Sequence, residues 1–396
     1  MSSVNSFETD MRKLRRRRKN KRILKNMFLI FAIIVIALLV YVTRSSWISY
    51  FDGILERAQF GSNVHIEGEI AHGNYPIDIS KKTKTDIGSM SKCWTLFADT
   101  TFYVYSDSGD IIYSVQASYS NPIISETAKR TLIYDLGGYN FMVLSNSKQV
   151  YSKQLTDQIL LGAVGSDGTV AIVTSNDKYT SYLTVYDKNG SEIFHWADSN
   201  MITAVDINEK STGCIVSSSY ARGGEYKSVI SAIDFSSTEL AMKSSPIDAL
   251  TFGLEYCQDD QFWIIADNAL YRMSFDGTIG FKYDYKYDLV SFSANDKIAA
   301  LVFESVGNEH TAVSLMGYNS NEVCEIIREE KINYILADGS TVYMNTDYAL
   351  EALNRNGESL LNMELDGVYR QFSVSGNNIY LLGYKYINKI QTESVS

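Results

Sequence analysis

From about residue 62 onward the chain alternates short apolar stretches rich in Val, Ile, Tyr, Phe and Thr with polar turn clusters. That alternation predicts short strands rather than helices. The turns fall into two interleaved series. One occupies residues 105–113, 144–150, 186–194, 234–240, 274–279, 317–323 and 353–360, with centres 36 to 48 residues apart. The second includes 166–168, 208–210, 258–260, 294–296, 337–339 and 375–378, with weaker members near Thr127 and Thr85. Two hairpins in about 41 residues make four strands per repeat, the content of a β-propeller blade. Counting the weak turns gives eight blades, and discounting them gives seven. One stretch is left over at each end, 64–70 and 385–390. Their pairing would close the last blade with a strand from the start of the propeller and remove two free sheet edges.

The first 61 residues follow another pattern. Residues 1–26 carry 10 Lys or Arg against 2 acids, and Met27 to Val42 has no charged residue, with 12 of 16 positions Leu, Ile, Phe or Val. At about −0.5 kcal/mol each, these twelve favour insertion by roughly 6 kcal/mol. Residues 27–43 are therefore expected to form a transmembrane signal anchor. The excess of cations before it predicts a cytoplasmic N-terminus and an extracytoplasmic remainder. A cleaved signal peptide would need a small-x-small site, and the stretch 42–47 offers a poor one. Residues 44–61 space apolar groups at three and four, which suggests a helical juxtamembrane stalk. The expected organisation is a basic cytoplasmic tail (1–26), an anchor (27–43), a stalk (44–61) and an all-β propeller (62–392).

Charge sharpens this division. The chain carries net −10 in 396 residues, but the tail is +8, so the remainder is −18. An acidic body argues against a nucleic-acid partner, because phosphate repels it. Four Cys and four His argue against a disulfide scaffold and a multi-metal protein. Cys93, Cys214, Cys257 and Cys324 are expected as small core residues in separate blades.

Tyr186-Asp187-Lys188-Asn189-Gly190 and Phe275-Asp276-Gly277, an aromatic residue followed by a polar turn with Gly, resemble the loose hairpin signature of quinoprotein-like and WD40-like propellers. The Trp-Asp dipeptide is absent. With its basic tail, anchor and acidic external propeller, the chain also resembles a family of uncharacterised bacterial single-pass membrane-anchored propellers. That resemblance implies a fold and a topology, not an activity.

Catalytic patterns are sparse. There is no Gly-x-Ser-x-Gly elbow and no phosphate loop. His65, His72, His195 and His310 are far apart, and His195 is expected on an outer strand, so no triad or metal cluster is predicted. The segment 187–192 is faintly like a calcium loop but too short, and hairpin chemistry accounts for it. The stretch Phe281 to Leu289 alternates strictly, which as one strand would stack Tyr283, Tyr285 and Tyr287 on one face. This row is the candidate binding surface, with packing against a neighbouring blade as the stronger expectation. The expected function is a non-catalytic membrane-anchored module, with no cofactor, that binds or scaffolds a protein or a cell-envelope polymer. The alternatives are a glycan lyase or hydrolase using channel carboxylates, and a sensor ectodomain working through a membrane partner.

Overall fold

The computed structural model describes residues 68–70, 74–304 and 310–392. The expected tail, anchor and stalk lie outside them, as do His65 and His72. Among the described residues, no helix is long and apolar enough to cross a membrane.

Eight antiparallel meanders make up the described chain. Blades 1 to 7 span 85–116, 122–154, 159–198, 201–243, 251–284, 288–328 and 334–364, each of four strands in sequence order. Blade 8 supplies three strands from 369–392 and takes its fourth from Gly68–Ile70. Gly68 faces Thr392 and Ile70 faces Ile390. A further short strand, Ile77–Asp78, continues the pairing opposite Ile387 and Tyr386. The closure expected from the two leftover stretches is thus present, and the blade count is eight. First strands pack against first strands around the ring, including Thr85–Met90 against Tyr369–Ser375 where the last blade meets the first.

Alternating apolar positions in each strand bury one layer between every pair of neighbouring blades. The closing layer joins Ile87, Trp94, Leu96 and Tyr105 of blade 1 to Tyr380, Leu382 and Ile387 of blade 8. The outer hairpins behave as their turn residues require. In blade 3, Asp187 accepts hydrogen bonds from the backbone N–H of Asn189 (2.9 Å) and Ser191 (2.8 Å). The adjacent register shift marks a bulge, as expected of a longer hairpin loop. The calcium-like segment is this hairpin.

Two local expectations are corrected. The first inner turn lies not near Thr85, which begins a strand, but at Ser91-Lys92 between paired Met90 and Cys93. The Phe281 to Leu289 alternation is not one strand. Ile279–Asp284 ends blade 5, and Asp288–Ala294 opens blade 6. The chain must cross between blades there, so the alternation breaks at a link. Blade 4 also carries an unforeseen long hairpin, Gly213–Arg222 paired with Glu225–Asp234, turned by Gly223 (φ 67°) and Gly224 (φ 87°). Both positions need positive φ, which glycine adopts without a Cβ clash.

Candidate functional site

In a meander of four strands, loops one and three emerge on one face, and loop two and the inter-blade links on the other. The sorting of side chains between these faces is uneven. Among the described residues seven tyrosines are exposed: Tyr139, Tyr179, Tyr226, Tyr287, Tyr348, Tyr384 and Tyr386. Each lies in or beside a second loop or an inter-blade link. Tyr348 and Tyr384, in blades 7 and 8, are 67% and 68% exposed. The opposite face carries Ser-, Asp-, Asn- and Gly-rich turns. On the first strands of blades 5 and 6, Phe252 and Phe292 are also exposed and in ring contact at 5.8 Å.

The tyrosines singled out from the sequence divide. Tyr283 and Tyr285 pack on Phe303 of blade 6, with ring centroids at 6.4 and 5.1 Å, inside the layer between blades 5 and 6. The Tyr283 hydroxyl reaches Ser314 and Glu325. The Tyr285 hydroxyl is buried without a partner. Only Tyr287 is exposed, at 43%. Tyr285→Ser is expected to cost about 3 kcal/mol, as a large-to-small core change does, while Tyr287→Ser should stay within about 0.5 kcal/mol. Tyr285→Phe should be close to neutral, since it keeps the ring and removes an unsatisfied hydroxyl. Urea unfolding of the three variants checks this; equal costs at 285 and 287 would contradict the division.

The second feature lies at the ring interior and opens among the first loops. It is a cavity of about 970 Å³ bordered by blades 1, 2, 6, 7 and 8. Asp86, Asp107, Glu126, Asp296 and Asp338 line it, with Lys92 the one basic residue of the lining. Glu126 ends the first strand of blade 2 and reaches back to blade 1. It accepts hydrogen bonds from Thr95 Oγ1 (2.8 Å), Thr131 Oγ1 (3.2 Å) and the Ser89 N–H (3.1 Å). Its carboxylate occupies the space above Gly88, where a Cβ would stand 1.8 Å from Oε2. Burial pushes its pKa up to about 7 against the lowering effect of these donors, and the neighbouring Asp86 adds to the rise. Burial likewise raises Asp86, which Gln371 and Arg370 partly offset, and Asp338.

Blades 4 and 5 extend the series. Asp206 accepts from the Ile207 and Tyr256 N–H groups, both at 2.9 Å, so it ties blade 4 to blade 5. Burial raises the pKa of Asp206 and of Glu255, and the charges of Asp206 and Asp296 raise Glu255 further. Among the described residues, no three His, Cys, Asp or Glu converge so as to hold a metal ion. His195 stands on the outer strand of blade 3, hydrogen-bonded to Glu192 (3.1 Å) and stacked on Tyr182. The four cysteines are free and lie in blades 1, 4, 5 and 6. The set is made of carboxyls from blades 1, 2, 4, 5, 6 and 7. Its chemistry is hydrogen-bond acceptance and negative charge. The sequence does not single out the carboxylates, because acids on first strands and in the loops of this face resemble any solvent-facing acid until the ring closes.

This architecture is that of an eight-bladed, quinoprotein-like β-propeller. The chain belongs to a family of unknown function, DUF5711, whose profile matches residues 77–392. No curated protein matches it in sequence. Among solved structures it is similar to BamB from Moraxella catarrhalis (TM-score 0.54, 12% identity, 82% of this chain and 100% of that one). It is also similar to the computationally designed Ika8 protein (TM-score 0.58, 10% identity, 78% and 98%). A third is Kuenenia stuttgartiensis hydrazine synthase (TM-score 0.50, 13% identity, 71% and 98%). At these identities the likeness concerns the fold alone.

Proposed function

We propose that the protein is a non-catalytic binding module, anchored in a membrane by residues 27–43 with its propeller outside the cytoplasm, and that it recruits a protein partner through the tyrosine-bearing loop face. The observation that carries the proposal is the collection of every exposed tyrosine among the described residues on that face. Tyrosine offers a large amphipathic contact at low entropic cost and is enriched in protein interfaces. A non-catalytic role is supported by Glu126, whose two oxygens are engaged by three donors, two of them from the neighbouring blade 1. The external placement rests on the cation-flanked apolar run of the sequence.

A membrane-impermeant crosslinker applied to intact cells tests both parts. A partner protein should be recovered, and the pair Tyr348→Ser and Tyr384→Ser should reduce recovery severalfold while leaving thermal unfolding unchanged, since both side chains are exposed. Capture only after lysis would overturn the external placement. Undiminished recovery would overturn the face, and capture of envelope polymer instead of protein would overturn the partner class.

A further inference from the structure

Basic residues are few on this acidic propeller, and several of them meet in one sector of the tyrosine-bearing face. The link from blade 8 into blade 1 carries Lys81, Lys82 and Lys84. Its Ile79 N–H donates to the Lys385 carbonyl (2.8 Å), which sets the link beside the second loop of blade 8. Lys81, Lys84 and Lys385 are exposed, and none of the three is in an ion pair with a described residue. Lys82 reaches Asp99 at 3.9 Å. The acids of the sector are engaged by the link backbone. Asp78 accepts from the Ser80 N–H (2.8 Å), and Asp99 accepts from the Thr83 and Lys84 N–H groups (3.0 and 3.1 Å). These bonds fix the path of the link, so its free ammonium groups are displayed on an ordered frame.

Apolar surface adjoins these charges. Tyr384 precedes Lys385 in the same loop and is 68% exposed. The Arg370 guanidinium lies 5.7 Å from the centre of its ring and donates to Thr85 Oγ1, where blade 1 begins. Val368, also exposed, borders the loop from the link between blades 7 and 8; its carbonyl would stand 3.6 Å from a Cβ on Gly383. An exposed ring and an aliphatic edge beside unpaired ammonium groups suit a segment that alternates carboxylates with apolar side chains. A flat anionic membrane fits less well. It would also press on Asp177, Asp248, Asp347 and Asp366, exposed in the loops and links of the same face, well within the reach of unscreened charge. A narrow segment avoids them. We infer, as an extension that rests on the proposed recruitment, that the partner protein docks an acidic peptide segment on Lys81, Lys84 and Lys385, with an apolar residue against Tyr384 and Val368.

The probe is a labelled peptide of repeating Glu-Glu-Leu, titrated with the full chain in mild detergent and followed by fluorescence anisotropy. At about 0.1 M salt, charges more than about 10 Å away are largely screened, so the contact sector dominates. Saturable binding is expected. Lys81→Glu, Lys84→Glu and Lys385→Glu together should weaken it by at least about tenfold. Lys81→Gln, Lys84→Gln and Lys385→Gln should weaken it by less, and serve if the reversed chain fails to fold. Lys178→Glu, Arg222→Glu and Lys331→Glu change the net charge equally, elsewhere on the same face, and should alter binding by less than about twofold. No saturable binding would overturn the inference, as would equal weakening by the two reversed sets. Binding of polyphosphate but not of the peptide through the same lysines would overturn it in favour of a phosphate-bearing surface. Crosslinking in intact cells separates this site from the recruitment itself. A partner lost with Tyr348→Ser and Tyr384→Ser and equally lost with the lysine reversal supports the site. A partner lost with the tyrosines but kept after the lysine reversal would overturn the site and leave recruitment standing. Recovery of no partner by the unaltered chain would overturn recruitment, and the site with it.

Discussion

Trp94→Ala should destabilise the propeller by about 3–5 kcal/mol, near the upper end for a single core truncation. Trp94 is completely buried and sits where the ring closes. Its indole stacks on Tyr105 of its own blade at 4.2 Å and on Tyr380 of blade 8 at 5.1 Å. Its N–H is shared between the Tyr75 hydroxyl (2.8 Å) and the Ser106 carbonyl (3.1 Å), so it also holds the segment that precedes the Ile77–Asp78 strand. Truncation leaves a cavity among aromatic rings and frees that segment. The damage should be local as well as global: amides of Tyr386–Thr392 should exchange with solvent sooner than those of blade 4. Trp263→Ala, equally buried but between blades 5 and 6, should cost about as much without that preferential opening. Urea unfolding and amide exchange measure the two effects. A cost below about 1 kcal/mol at Trp94 would mean that the closing layer is not a principal source of stability.

The second large effect concerns pH. Stability is expected to fall as pH rises from about 5 to about 7, the reverse of ordinary acid denaturation. In the unfolded chain Glu126 ionises near its ordinary value, 4.5, while in the folded protein burial holds the proton up to about 7. Asp206 and Glu255 are raised in the same direction. Between these values the native state binds more protons than the unfolded state, so each step upward in pH favours unfolding. Below about 4.5 Glu126 is protonated in both states, and above about 7 it is ionised in both, so its contribution is flat outside the window. At about 1.4 kcal/mol per pKa unit, Glu126 alone can contribute about 1–3 kcal/mol. Glu126→Gln should flatten the profile and gain most relative to the parent near pH 8. Turn carboxyls such as Asp99 and Asp187, held down by backbone N–H donors, act oppositely and should cut stability at still lower pH. Thermal unfolding across pH 4 to 9 checks the sign. A parent profile that rises between pH 5 and 7 would refute the assignment of neutral buried carboxyls.

Much of the architecture was legible in one dimension because its signals are local. A hairpin turn such as 187–191 announces itself by an Asp that bonds N–H groups two and four residues on, and the blade period is the spacing of such turns. Where the local signal is weak, sequence and structure part. Ser91-Lys92 has no Gly, Asn or Asp, so no local signal marks the first inner turn. The alternation of 281–289 is genuine in sequence, yet nothing within nine residues tells a strand from a strand end plus a link. Tyr285 and Tyr287 are alike as letters, and one packs on Phe303 while the other meets solvent.

The strand pattern and the four-strand repeat are properties of residues close in sequence, and the pairing of residues 68–70 with 390–392 follows from counting strands. A pleat of period two and turn chemistry act over a few bonds, and they survive any change in how blades are arranged. The gathering of seven tyrosines on one face, the seating of Glu126 over Gly88, and the carboxylate-lined cavity between blades 6, 7, 8, 1 and 2 depend on contacts between blades, across 31 to nearly 300 positions of the chain. Those contacts exist only once the ring has closed, because burial and solvent exposure at each position are set by the neighbouring blade and not by the neighbouring residue.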